Sequence, residues 1–194
     1  TSCQFCLEGK YGVVDMKNVV HCVNCPRGYY TNAKTSTLCT ECELGRYQNS
    51  IGTTRCLECE IGKSQPKTGQ QWCKLCVEGK YLNQTGQKSC KDCDVGKYGN
   101  EFGKDSCKSC PRGWKRSAED EDSLLCAQCS KGETTYNNTE SVSCSTCGLG
   151  TYGGIAGECL NCPIGYYQDG KGQQQCKGCP IDTIMYESES GKSS

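Results

Sequence analysis

Eleven Cys-x-x-Cys pairs divide the chain at a nearly fixed step, and that step limits the fold before any local pattern does. The pairs begin at Cys3, Cys22, Cys39, Cys56, Cys73, Cys90, Cys107, Cys126, Cys144, Cys159 and Cys176. Six of the ten gaps between them hold 13 residues, which gives a repeat of 17; the others hold 15, 15, 14 and 11. A constant spacing inside the pair and a variable one between pairs mark a covalent staple that carries loops. Residues 1–194 therefore read as one tandem array of about ten repeats.

The 194 residues include 22 cysteines, a proportion typical of disulfide scaffolds. Leu, Ile, Val and Phe together number only 26, too few for a packed core. Cross-links must then offset a chain entropy of roughly 1–2 kcal/mol per residue. In the chain-entropy model a bridge closing about 15 residues contributes roughly 3 kcal/mol. Disulfides persist in oxidising surroundings, so an extracellular, lumenal or cell-surface location is expected. The net charge is zero, without the basic excess of a nucleic-acid-binding chain. No run of 18 apolar residues is present, so no membrane span is expected in this segment.

The repeat has an internal grammar. Three residues after the second Cys stands Gly, in all ten complete repeats: Gly9, Gly28, Gly45, Gly62, Gly79, Gly96, Gly113, Gly132, Gly150 and Gly165. A turn with positive φ just after the staple accounts for it. Two residues further on, seven repeats carry Tyr: Tyr11, Tyr30, Tyr47, Tyr81, Tyr98, Tyr152 and Tyr167. A second Gly precedes the next pair at Gly52, Gly69, Gly86, Gly103 and Gly172, as suits a hairpin tip. No helical period exists, and Gly interrupts every window. The expected fold is thus an elongated rod of stacked short β-ribbons and loops, in small disulfide-rich repeats without helix. The tyrosines are expected to replace the missing core by lying over neighbouring bridges or Gly turns. The alternative is an exposed aromatic stripe that binds sugar or protein.

Two repeats depart from the pattern. The long one after Cys110 carries Glu119, Asp120, Glu121 and Asp122, but without calcium-loop spacing it reads as a solvated loop. The short one after Cys147 is rich in Gly and suits a bend or a close contact.

Spacing favours one pairing scheme over its rivals without fixing it. In that scheme the second Cys of each pair joins the first Cys of the next. The bridges are then Cys6–Cys22, Cys25–Cys39, Cys42–Cys56, Cys59–Cys73, Cys76–Cys90, Cys93–Cys107, Cys110–Cys126, Cys129–Cys144, Cys147–Cys159 and Cys162–Cys176, and every loop is a closed unit. Packing alone is expected to join neighbouring loops beyond the shared pair. The rival scheme bonds pairs in twos, Cys39 with Cys56 and Cys42 with Cys59. The favoured scheme leaves Cys3 and Cys179 without partners. The phase of Gly191-Lys192-Ser193-Ser194 makes a cysteine due next, so the chain is expected to be a window on a longer array. Asp182, where Gly is due, suggests that the last repeat diverges.

Cys22-Val23-Asn24-Cys25-Pro26-Arg27-Gly28-Tyr29-Tyr30 and Cys159-Leu160-Asn161-Cys162-Pro163-Ile164-Gly165-Tyr166-Tyr167 resemble the ephrin-receptor-like cysteine-rich repeats. Those repeats are similar in style to tumour-necrosis-factor-receptor and EGF-like modules and occur in protist surface proteins. The resemblance covers nearly the whole chain, although Pro follows the pair only at Pro26, Pro111, Pro163 and Pro180. It implies an extracellular, elongated, non-enzymatic module.

Zinc is the chemical rival, since two Cys-x-x-Cys pairs at this spacing resemble a four-thiolate ribbon. The unbroken run of eleven pairs, followed by Gly-x-Tyr, weighs against it. Thioredoxin-like chemistry needs a βαβ frame that is not visible. The single histidine, His21, has no triad motif around it and reads as a surface residue in a loop. No catalytic site, metal site or cofactor is expected. Asn83-Gln84-Thr85 and Asn137-Asn138-Thr139 are acceptor sequons, so glycans are expected on Asn83 and Asn137. These features imply an extracellular spacer in a surface filament, hair or coat, with itself or other surface proteins as partners. The alternative is a receptor or adhesion ectodomain that binds a protein or a glycan.

Overall fold

The computed structural model describes residues 5–120, 123–155 and 157–180. Among them there is no helix, and twenty short strands form ten separate antiparallel ribbons of two strands each. The residues gather into two compact units, one of residues up to 92 with 101–106, the other of 93–100 with those from 107 on. The same repeat builds both.

The two residues inside each Cys-x-x-Cys are themselves a strand. Thr40–Glu41 lies between Cys39 and Cys42 and pairs with Tyr29–Tyr30, with Tyr29 opposite Glu41 and Tyr30 opposite Thr40. Leu57–Glu58 pairs in the same way with Arg46–Tyr47. In extended chain, residues three apart face opposite sides. Cys39 therefore reaches back to Cys25 while Cys42 reaches forward to Cys56. One more residue between them would turn both sulfurs to the same side, which accounts for the constant spacer.

Between staple and strand the chain reverses in a type II turn. Tyr29 N–H donates to the Pro26 carbonyl at 3.1 Å. Gly28 is the third residue of that turn, at φ +85°, a conformation that a side chain strains. The same closing bond recurs from Arg46 to Glu43 and from Lys63 to Glu60, both at 3.0 Å.

Neighbouring loops are tied by main-chain hydrogen bonds, not by packing alone as the sequence led us to expect. Gly28 N–H donates to the Gln48 carbonyl at 2.8 Å, Thr31 N–H to Thr53 at 3.2 Å, and Gly52 N–H to Cys25 at 2.8 Å. The next two loops repeat the trio: Gly45 to Gln65 at 2.8 Å, Gln48 to Gln70 at 3.1 Å, and Gly69 to Cys42 at 2.9 Å. A loop this poor in apolar residues thus satisfies its backbone on its neighbour. Contact extends to the next loop but one. A β-carbon on Gly28 would lie 2.1 Å from the Gly69 carbonyl oxygen, so backbone meets backbone there. In the short loop closed by Cys147–Cys159, Gly153 likewise approaches the Gly132 backbone, with 2.1 Å left for a β-carbon.

The tyrosines are half-buried and are not the core. The core of each unit is bridge sulfur and the residue just after the aromatic position: Thr31, Gln48, Gln65 and Leu82 in the first, Arg116, Thr135 and Gln168 in the second, each at most 6% exposed. Most are polar, and each side chain is satisfied within its repeat or the one before. Gln65 donates to the Trp72 carbonyl at 2.6 Å and accepts from Lys67 N–H at 3.1 Å, clasping its own loop. Gln48 does the same with Arg55 and Ser50. Arg116 donates to the carbonyls of Cys93, Asp94 and Lys97, so its buried charge faces three carbonyl dipoles.

The first ribbon is longer than the rest. β1 (Lys10–Val14) and β2 (Val20–Asn24) pair over five residues, and Val13, Val14, Val19 and Val20 stay exposed at its far end.

Candidate functional site

The chemistry-bearing residues of this chain are its sulfurs. Ten bridges join the second Cys of one pair to the first of the next: Cys6–Cys22, Cys25–Cys39, Cys42–Cys56, Cys59–Cys73, Cys76–Cys90, Cys93–Cys107, Cys110–Cys126, Cys129–Cys144, Cys147–Cys159 and Cys162–Cys176. Six of these are 14 residues apart in sequence, with Cα–Cα distances of 5.7–5.8 Å. Cys179 is a partly buried free thiol whose N–H donates to the Gly165 carbonyl at 2.9 Å. Cys3, Asp182 and the segment 191–194 lie outside the described residues.

Carboxylates inside the staple form a second, lateral set of ties. Glu41 accepts from the Tyr29 hydroxyl at 3.1 Å and from the Thr68 hydroxyl at 2.6 Å. The hydrogen bond to Glu41, and after it the Glu41 charge, raise the Tyr29 hydroxyl above the usual phenol range. One repeat further, Glu58 accepts from Arg46 at 2.7 Å and from the Thr85 hydroxyl at 3.0 Å. Sequence reasoning passed over this tie. Its only trace is Thr before the tip Gly, at Thr68 and Thr85, with Glu before the second Cys, at Glu41 and Glu58.

Both sequon asparagines, Asn83 and Asn137, are exposed in loops. Thr85, the third residue of the first sequon, holds Glu58, whereas Asn137 stands at φ +63° in its turn.

His21 lies in β2, not in a loop as the sequence suggested. Its Nε2–H donates to Asp15 Oδ2 at 2.9 Å across the hairpin. Asp15 also accepts from the N–H groups of Val19 and Lys17 at 2.9 and 2.8 Å. The bond from His21, and after it those from Val19 and Lys17, hold its carboxyl below the usual range. The pair is exposed and closes the turn of the first ribbon.

In the acidic loop, the backbone N–H and hydroxyl of Ser117 both donate to Asp120 and hold its carboxyl low. Glu121 and Asp122 lie outside the described residues. Among the described residues, no group of three or more His, Cys, Asp and Glu side chains gathers as a metal site. No helix among them is long and apolar enough to cross a membrane.

The tyrosine side of the repeats borders shallow clefts. Tyr30 lines one with Asn32, Glu43, Arg46 and Arg55, of about 260 Å³. Tyr152 lines a larger one, of about 560 Å³, in the second unit.

A family model described as "Tyrosine-protein kinase ephrin type A/B receptor-like" matches residues 12–55, 28–76, 79–119 and 150–194, which together make up more than half of the chain. No curated protein matches it. With the bridges, the type II Gly turns and the aromatic ribbons in tandem, the chain belongs to the ephrin-receptor-like cysteine-rich repeat family.

Proposed function

We propose that this chain is an extracellular, non-enzymatic spacer: a stapled array that forms part of a surface filament, hair or coat. The observation that carries the reading is that each loop is closed by its own bridge and joined to the next by three main-chain hydrogen bonds. Chemistry of this kind serves continuity along a chain. The ten bridges and the family both suit an oxidising, extracellular setting. Glycans on Asn83 and Asn137 would project from loops that the staple does not need. Its partners would be further copies of itself or other surface proteins.

Antibodies against the chain, applied to the cells that make it, test this reading. Decoration of a filament or coat at a regular axial interval is the expected result. Diffuse labelling of the plain cell surface would overturn it.

One observation favours a second reading, a receptor or adhesion ectodomain that holds a protein or glycan. Tyr30 and Tyr152 are half-buried and line clefts, so part of each side chain is open to a ligand.

A further inference from the structure

We propose that the cleft beside Tyr152 is a binding site for an uncharged saccharide. The assignment rests on the second reading above, in which the tyrosine side of the repeats holds a ligand. The cleft measures about 560 Å³, within the range of small-ligand sites. It opens at the one loop whose bridge spans 12 residues in place of 14.

Gly153, Gly154 and Gly157 also line it, so part of its wall is backbone without side chains.

The lining has two kinds of surface. Tyr152, Ile155 and Leu160 supply an apolar wall, and Ile155 is 92% exposed with nothing packed over it. Gln128, Gln174 and Gln175 supply three primary amides. Their side chains make no hydrogen bond among the described residues, in contrast to the fully engaged Gln48, Gln65 and Gln168. An aromatic face beside amides that both donate and accept matches a pyranose, with its apolar C–H face and its ring of hydroxyls. No carboxylate lines the cleft, and Lys131 is its one charged group. The amides, not an ion pair, would therefore carry recognition.

The test uses the full chain on an immobilised panel of neutral hexose and N-acetylhexosamine oligosaccharides, with a sulfated set beside it. Retention of a neutral oligosaccharide is expected. In Gln128→Ala/Gln174→Ala its affinity should fall by about tenfold or more, from the loss of two amide contacts. Both residues are exposed, so the ten bridges should still form, as intact mass checks. Tyr152→Leu keeps an apolar wall and should lower affinity without touching the amides. A preference for the sulfated set that disappears in Lys131→Ala would overturn the neutral assignment. Retention that survives the Gln128 and Gln174 changes but is lost in Tyr30→Leu would overturn this site and leave the second reading intact. No retention at all would overturn the site and narrow the second reading to a protein ligand.

Discussion

The carbonyl oxygen of Gly86 lies 2.0 Å from where a β-carbon on Gly45 would sit. Two loops of backbone therefore meet at Gly45 with no room for a side chain. Gly45 is also at φ +75°. Gly165 stands at the same repeat position, at φ +87°, but with nothing within 4 Å of its β-carbon site. Comparing the two separates strain from clash. Gly165→Ala should cost roughly 1–2 kcal/mol, the ordinary penalty for a left-handed residue. Gly45→Ala should cost clearly more, and non-reducing denaturant melts of both variants measure the difference. Equal midpoints would show that the close approach has no energetic weight.

Gln65 is 1% exposed and clasps its loop through two hydrogen bonds. Gln65→Ala should destabilise by about 2–3 kcal/mol, from the lost volume and from polar groups left unpaired. Gln65→Leu should cost less, because Leu82 holds the same repeat position at 0% exposure. In both variants the Lys67 amide should exchange faster with solvent, which hydrogen-exchange NMR reads directly.

Replacing Cys76 and Cys90 together by Ser removes one bridge without leaving a lone thiol. The chain-entropy estimate for such a loop is about 3 kcal/mol. The loss should spread to the tip of the next loop, because Gly103 N–H donates to the Cys76 carbonyl at 2.8 Å. Limited proteolysis should cut within 76–90 first, while the loop of Cys25–Cys39 stays protected.

An N-glycosidase should lower the mass of the chain, as its own cells make it, by two glycans. Asn83→Gln and Asn137→Gln should each remove one. An unchanged mass in either variant would show that its sequon is unused.

Asp15 titrates below its ordinary value of about 3.9. A carboxyl with a depressed folded value favours the fold above its unfolded pKa, and that contribution is lost as pH falls through the folded value. The first ribbon should therefore loosen only in acid, from about pH 3.9 downward. NMR of the Asp15 carboxyl carbon should give a midpoint below that value. In Asp15→Asn, the chemical shifts of Val13 and Val20 should no longer follow pH over this window.

The repeat, the ribbons and the absence of helix were legible because cysteine and glycine print the period into the chain. A glycine such as Gly28 betrays its turn by the φ that only it adopts readily. The core was not legible. Gln65 looks like a surface residue, and its burial depends on an amide that reaches back to Trp72 seven positions on. Arg116 misleads in the same way, since a buried guanidinium is tolerable only with the three carbonyls that the fold brings to it. The tyrosines drew attention because they are large, yet the residues that follow them are the buried ones. The approach of Gly45 to Gly86 joins residues in non-adjacent loops, and no local pattern records it.

Pulled at its ends, this polypeptide cannot straighten along its own contour. The shortest covalent route through a repeat crosses a bridge and then the two residues inside the next pair, bypassing the loop. With 5.7 Å between the Cα atoms of Cys42 and Cys56, that route is roughly 16 Å long, against roughly 60 Å for an unbridged repeat at full extension. Tensile load therefore travels through sulfur. The loops carry none of it, and their sequences are free to diverge without altering how far the array can stretch.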